Sequence, residues 1–383
     1  VRSARAALAQ ARALRDVQAA GLLPGVGASA SAQRARPSGG STANQFQAGL
    51  DASWELDVFG GQRSAVQAAE ADARAAQENL ADARVSLAAE VALAYIDLRS
   101  LQARLAIARS NLAAQTETLQ LVRWRVQAGL ATSVELEQAR AASEQTAAQI
   151  PALETGIARA QHSLAALTGQ APAALQAELA PPRPVPLAGG ELALAIPADT
   201  LRQRPDVRRA EQQVSGALAR VSQAEAARYP DFRLAGSLGL SALTLGGLGR
   251  GAAVFDSLLA SVSVPLFDGG AVRAQVRAQE AALEQTRIAY QSVVLAALQE
   301  VEDALVALAN DRQQLARLQS AAEAASNAAL LAQQRYASGL IDFQVVLDTQ
   351  RTLLATQESV ASTGANVSAD HVRLYKALGG GWE

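Results

Sequence analysis

The 383-residue chain contains no cysteine and no methionine, and only 4% of it is aromatic. Without thiols it forms no disulfide, no thiolate metal site and no cysteine nucleophile, a property compatible with reducing and oxidising compartments alike. Hydrophobic residues nonetheless make up 50% of the chain. Its apolar character therefore comes mainly from Ala, Leu and Val, which suits long helices packed at close range better than one thick globular core. Charge of one sign is lacking too. The 34 basic and 36 acidic groups leave a formal charge of -2, with no basic surplus to follow a nucleic-acid backbone. No apolar run reaches the roughly 18 residues that a membrane-spanning helix needs, and the opening VRSARAALAQ does not read as a signal peptide. Any encounter with the interior of a membrane falls to strands.

What the chain does contain is two copies of one pattern. Val1-Arg2 aligns with Val207-Arg208 and Pro24 with Pro230, both at an offset of 206. SWELDVF at 53–59 meets SVSVPLF at 261–267, Arg125 and Gly129-Leu130 meet Arg335 and Gly339-Leu340, and Leu136, Arg140 and Leu167 meet Leu347, Arg351 and Leu378. The slow drift of the offset marks a tandem duplication with small loop insertions. The first copy is expected over 1–169, a Pro-rich connection over 170–205 and the second copy over 206–383. That connection, with Pro181-Pro182 and Pro184-Val185-Pro186, is expected to run as irregular structure over a helical body. Val1 falls inside a pattern whose second copy has a long lead-in, so the start reads as truncated.

Each copy opens on a helical stretch, passes through two alternating segments and enters a very long helix. Residues 62–128 and 271–338 contain neither Gly nor Pro. At about 1.5 Å per residue each such helix is roughly 100 Å long. In the first, Leu98, Leu101, Leu105, Ala108, Leu112, Gln115, Leu119, Val122 and Val126 keep the 3-4 spacing of a coiled-coil seam. Leu308, Leu315, Leu318, Ala322, Ala325 and Ala329 form its counterpart. The long helices stop at Gly129 and Gly339, where a reversal gives an antiparallel helical hairpin with an exposed tip.

The alternating segments decide the class of function. Phe46, Ala48, Leu50, Ala52, Trp54, Leu56 and Val58 interleave with Gln47, Gly49, Asp51, Ser53, Glu55 and Asp57, an unbroken period of two. Segments 26–33, 232–240 and 257–266 behave alike, so one hairpin is expected over about 25–58 and another over about 231–267. Strands of this kind are what a transmembrane β-barrel needs, and two hairpins give four strands. Bacterial barrels begin at about eight strands and leave no edge unpaired in lipid, so closure requires several chains. Two, three or four copies satisfy that requirement equally well. The alternative is a small soluble sandwich or cap, for which the sequence offers no second sheet.

These residues bring a resemblance. WELDVFGG at 54–61, RQRPDVRRAEQQV at 202–214, YPDFRLAGSLG at 229–239, VPLFDGG at 264–270, ALQEVEDAL at 297–305, QRYASGL at 334–340 and YKALGGGW at 375–382 stand in order on the duplicated chain. The chain resembles the outer membrane factor family, the TolC and OprM type of efflux channel, and within it the lipoprotein branch called NodT-type. The resemblance implies a mainly α fold with a small transmembrane β part. Tandem-duplicated helical hairpins of a homotrimer would build a periplasmic α-barrel, capped by a shared 12-stranded antiparallel β-barrel. It further implies a passive, gated exit duct for small molecules such as drugs, sited in the Gram-negative outer membrane and extending into the periplasm. The implied partners are a periplasmic membrane-fusion adaptor, an inner-membrane pump of resistance-nodulation-division type and outer-membrane lipid. A cofactor is not implied, though members of this branch carry a lipid anchor on an N-terminal Cys that this chain does not show.

The resemblance also assigns residues. Gly129, Leu130, Gly339 and Leu340, with Arg125 and Arg335 beside them, are expected to dock the adaptor. Asp348 is expected at the pore constriction, where three carboxylates around an axis attract cations, and its bland counterpart is a solvated or salt-bridged helix residue. Glu135 and Tyr336 match an acid and a tyrosine that link neighbouring hairpins in closed members. Gln344, Val345 and Ile341 depart from the residues that family members use in the same region. Trp54 is expected in an aromatic belt at the membrane interface, or simply packed between strands.

No residues suggest catalysis. His162 and His371 stand apart, without ligand spacing around them, and Gly60-Gly61 and Gly269-Gly270 belong to no complete phosphate-loop pattern. A pore-free coiled-coil scaffold is the competing reading, and it leaves the four amphipathic strands without a purpose.

Overall fold

A computed structural model describes residues 1–36, 42–187, 201–249 and 253–380. Helix α1 (Arg2–Ala20) leads into strands β1 (Gly25–Ala35) and β2 (Ala43–Leu56), long helix α2 (Gly61–Gln127), return helix α3 (Ser133–Leu167) and the short α4 (Gln176–Leu179). The second copy follows with α5 (Pro205–Ala226), β3 (Asp231–Ala242), a 3-10 turn (Leu245–Gly249), β4 (Ala253–Ser263), long helix α6 (Ala271–Ala337) and return helix α7 (Phe343–Ala377). Both long helices have 67 residues and both return helices 35. The tip of the 37–44 loop, residues 188–200 of the Pro-rich connection, 250–252 of the second loop and the end of the YKALGGGW motif lie outside the described residues.

One expected boundary moves. The fourth strand was placed at 257–266 by its alternation, and it runs instead from Ala253 to Ser263. Pro265 has no N–H for a ladder and disfavours regular pairing just before it, so the strand ends early and takes its length from the loop side.

The chain divides into two compact units, Val1–Ala83 with Pro205–Leu295, and Arg84–Arg204 with Ala296–Glu383. The first holds the sheet, ordered β1-β2-β3-β4 and antiparallel throughout, with β2 and β3 joining the hairpins of the two copies. Ala65, Ala68, Ala71 and Ala75 are buried at helical spacing on α2, and the small Gly216 of α5 lies close to Ala71. Small side chains permit this close approach, which Arg220 reinforces by pairing with Asp72, and Arg209 by reaching Asn79 at 3.0 Å. The start of α2 is capped by Asp57, which accepts from the N–H groups of Gln62 and Arg63 at 3.1 and 2.9 Å. Asp268 caps α6 in the same way through Gly270 and Val272. An anion at the positive end of so long a helix is favourable, and the backbone hydrogen bonds from Val272 and Gly270 hold the Asp268 carboxyl below the usual range.

The second unit holds the seam. Leu98, Ala108, Gln115 and Val122 are buried along α2, as are Leu308, Ala325 and Ala329 along α6. Leu98 packs with Ala160, Leu164 and Leu179, whereas Val301, Ala304 and Leu308 pack with Leu374, Ala377 and Leu378. Buried Arg99 ties the connection down: it donates to the Pro181 carbonyl at 2.8 Å, its guanidinium lies 4.7 Å from the Tyr95 ring, and neighbouring Gln102 donates to the Leu179 carbonyl at 2.9 Å. Arg204 plays the matching part for the second copy, donating to the Ala377 carbonyl and to Glu300 at 2.8 and 2.7 Å.

Candidate channel wall and hairpin tips

The sheet has one apolar and one polar face, set by the period of two. Because Val26 pairs with Ala52, Leu50 with Leu238 and Phe232 with Val262, all even-numbered strand residues share a face. Val26, Leu50, Leu238, Val254, Leu258 and Val262 lie exposed on it. Among the described residues nothing of this chain covers them. The opposite face carries hydrogen bonds from Ser29 to Asp51 and between Ser237 and Ser257, and an ion pair of Arg233 with Glu55. Phe255 also lies there, over Gly239, where a Cβ would come within 2.8 Å of the Ala48 carbonyl. An uncovered apolar face on a sheet of two unpaired edges is unsuited to water.

Trp54 sits at the helix end of this sheet, on the apolar face, and its indole N–H donates to the Leu22 carbonyl at 3.0 Å. Sequence reasoning stopped at this one aromatic residue. The fold adds Phe59 stacked on Tyr229 at 4.7 Å, with Phe232 at 6.3 Å, and leaves Phe267 92% exposed beside Leu266. The signal available was the shared motif, since Phe59 and Phe267 occupy the same place in the two copies. An amphipathic ring with a satisfied N–H at the border of an apolar band is the arrangement of an interfacial belt.

At the other site, in the second unit, both long helices end in the same cap. Gly129 and Gly339 take φ of 70° and 74°, and the N–H of Leu130 returns to the Arg125 carbonyl as that of Leu340 does to Arg335. This left-handed cap satisfies the last carbonyls and leaves the leucines at the turn 69% and 73% exposed. Arg125 lies 4.5 Å from the centre of the Tyr336 ring and donates to the Tyr336 carbonyl. Tyr336 is buried beside Phe343, and its hydroxyl has no hydrogen-bond partner among the described residues. Burial first, and then the charge of Glu135, raise the phenol's pKa, against the opposing pull of Arg125.

The remaining candidates separate. Glu135 is brought near Tyr336 but closes a capping box: its carboxylate accepts from the Thr132 N–H at 2.6 Å, and its own N–H donates to the Thr132 hydroxyl at 3.3 Å. Asp348 lies well exposed on α7, accepting from Gln344 at 3.0 Å with Arg351 at 4.0 Å. The sequence singled out His371 only as a residue without ligand spacing, and the charges around it were not anticipated. Buried Asp370 pairs with Arg373 at 2.6 Å, and its neighbour His371 meets Arg312 at 3.0 Å. Desolvation, followed by the Arg312 charge, lowers the His371 pKa, while desolvation and then the nearby Asp370 raise that of Asp311. Arg312 and His371 lie 59 positions apart, so spacing gave no sign of their contact, whereas Asp370 and Arg373 are an i,i+3 pair on one helix.

The profile of one family, described as outer membrane efflux protein, matches residues 1–170 and 196–380. The chain belongs to the outer membrane efflux protein family. It is 32% identical over 380 residues to the probable efflux pump outer membrane protein SepC of Pseudomonas putida, covering 97% of this chain and 78% of that one. Nodulation protein T of Rhizobium leguminosarum is 32% identical over 342 residues, covering 89% of this chain and 71% of its own length. The structure of the outer-membrane channel OprN superposes with a TM-score of 0.95 at 36% identity, covering all of this chain and 87% of OprN. The expected efflux-channel fold, helical with a four-stranded antiparallel sheet, is thereby established, and so is the place of the protein as an outer-membrane efflux channel.

Proposed function

We propose that three copies of this chain close their sheets into one 12-stranded barrel across the outer membrane and form a passive exit duct of a tripartite pump. The observation that carries this reading is the four-stranded sheet, with two free edges and an uncovered apolar face. Four strands cannot close alone, whereas lipid tolerates only a closed wall. In this reading the chain is organised as the repeats 1–169 and 206–383 around the 170–205 connection, and the helical hairpins continue the duct into the periplasm. An inner-membrane pump of resistance-nodulation-division type supplies the energy, and the exported molecules are small compounds such as drugs.

The tips carry the remaining roles. Leu130 and Leu340, presented by Gly129 and Gly339 with Arg125 and Arg335 alongside, offer apolar contacts to a periplasmic adaptor. Asp348 contributes to the constriction, with Glu135 and Tyr336 linking neighbouring copies when the duct is shut. Trp54 and its aromatic neighbours mark the inner border of the membrane.

Native mass measurement and planar bilayers test this together. The detergent-extracted protein is expected as a trimer with a defined conductance, and Asp348→Ala is expected to raise that conductance or change the cation preference. A full-length protein that is a clean monomer without detergent would sink the duct, and unchanged currents in Asp348→Ala would remove that residue from the constriction.

A further inference from the structure

The apolar face of the sheet carries two charged residues among the described ones, Arg34 on β1 and Asp256 on β4. They are opposite in sign, they stand on the two free edges, and both lie toward the loop end. Neither has an ion pair or side-chain hydrogen bond among the described residues. Within one copy they are three strands apart, about 14 Å across the sheet and about 20 Å along it, and so beyond reach of each other.

We propose that Arg34 of one copy pairs with Asp256 of the next, an ion pair across each subunit seam that fixes the register of β4 against β1. The proposal rests on the trimeric barrel above. Reading across the sheet, Ala28 is level with Leu50, Leu238 and Asp256. A closed barrel cannot continue on that level, because tilted strands require each seam to slip along the strand. Faces match only for an even slip. With a rise of about 3.4 Å and a spacing of about 4.8 Å, a slip of about four residues per seam tilts twelve strands by about 35°, and one of about six by about 47°.

The direction of slip follows from the strand ends. A slip toward the start of β1 sets Asp256 against residues that precede the strand and leaves the edges nearly unpaired. The other direction, at four residues, pairs Ala35 with Ala253 and Gly25 with Ser263, so that the 11-residue strands β1 and β4 overlap completely. Asp256 then faces Ala32, and Arg34 is its diagonal neighbour on the same face; at six residues Arg34 faces it directly. Either position lies within reach of a long arginine side chain. Alone, each charge would be costly beside lipid, and the two offset one another only in this register.

The chain has no cysteine, so a double variant Arg34→Cys/Asp256→Cys reports the seam alone. After the mass of the detergent-solubilised trimer is established, a short bis-methanethiosulfonate reagent should link this variant into covalent dimers and trimers. Val26→Cys/Asp256→Cys, whose first residue lies at the far end of β1, should stay monomeric in denaturant. Arg34→Glu and Asp256→Arg should each shorten the lifetime of the trimer in mild detergent, roughly threefold to tenfold, and the double reversal should restore it. Trimers that cross-link at 26 and 256 instead, or fail to link at 34 and 256, overturn the register while leaving the trimer. Cross-linking without rescue by the double reversal overturns the ion pair. Absence of a trimer overturns the assembly and the seam with it.

Discussion

The two hairpin tips descend from one sequence pattern and end their long helices in the same way, yet they begin their return helices by different means. At the first tip Thr132 and Glu135 close a reciprocal capping box, and Val134 beside them is exposed. At the second, Asp342 stands at the cap without a side-chain hydrogen bond, and Val345 replaces the glutamate. What holds this turn is burial: Phe343, Val346 and Leu347 enter a cluster with Val122, Ala139, Ala142, Ala332 and Tyr336. Both hairpins thus meet in one apolar cluster, but only the first also closes its turn with local polar bonds. Duplicated segments can share a backbone while placing their stability in different interactions.

The sharpest way to break this contrast is Phe343→Ala. Phe343 is only 1% exposed, and removing a buried phenyl ring costs about 3–5 kcal/mol. Thermal unfolding of the detergent-solubilised protein should register this as the largest fall among the tip variants. If Phe343→Ala proves no more damaging than loss of the first cap, the second tip is not held by packing.

Gly129→Ala and Gly339→Ala should come next, and should match each other. Both residues have positive φ, where a Cβ costs about 1–2 kcal/mol, and a Cβ meets nothing within 4 Å at the first and only Arg125 at 3.9 Å at the second. Unequal losses would move the asymmetry into the caps themselves. Thr132→Ala should cost about 1 kcal/mol through the lost capping box, whereas Asp342→Ala should cost almost nothing. A substantial loss at Asp342 would contradict the contrast directly.

Legibility in the sequence followed the range of the interaction. The long helices were readable because the absence of Gly and Pro is a local fact, and the boundaries of 62–128 and 271–338 agree with Gly61–Gln127 and Ala271–Ala337 to within a residue. The sheet faces were readable from the period of two, although a proline's effect on ladder pairing shifted the last strand. The capping box was not singled out, even though Thr132 and Glu135 have its spacing, because Glu135 was assigned a role across copies. The contact of Arg125 with Tyr336 spans 211 positions, and no periodicity signals a pairing over that distance. The same holds for Arg99 beneath Pro181 and for Arg312 beside His371.

Tyr336→Phe should have the smallest effect, and it separates two roles for one residue. Its ring is held by Arg125 and Phe343, contacts that phenylalanine keeps. Its hydroxyl is buried without a partner among the described residues, and deleting such a group is nearly neutral or slightly stabilising. A phenol whose folded pKa lies above the ordinary 10.0 keeps its proton while the unfolded chain loses its own. The stability contributed by protonated Tyr336 is therefore full below pH 10 and is lost as pH rises from there through the folded pKa. Wild type and Tyr336→Phe should unfold alike at neutral pH, with the variant losing less above pH 10. If instead the hydroxyl bonds to a neighbouring copy in the shut duct, Tyr336→Phe should raise conductance at neutral pH with no change in unfolding of the subunit. Identical conductance in wild type and variant would confine Tyr336 to packing at its own tip, where Phe343 and Arg125 already account for its position.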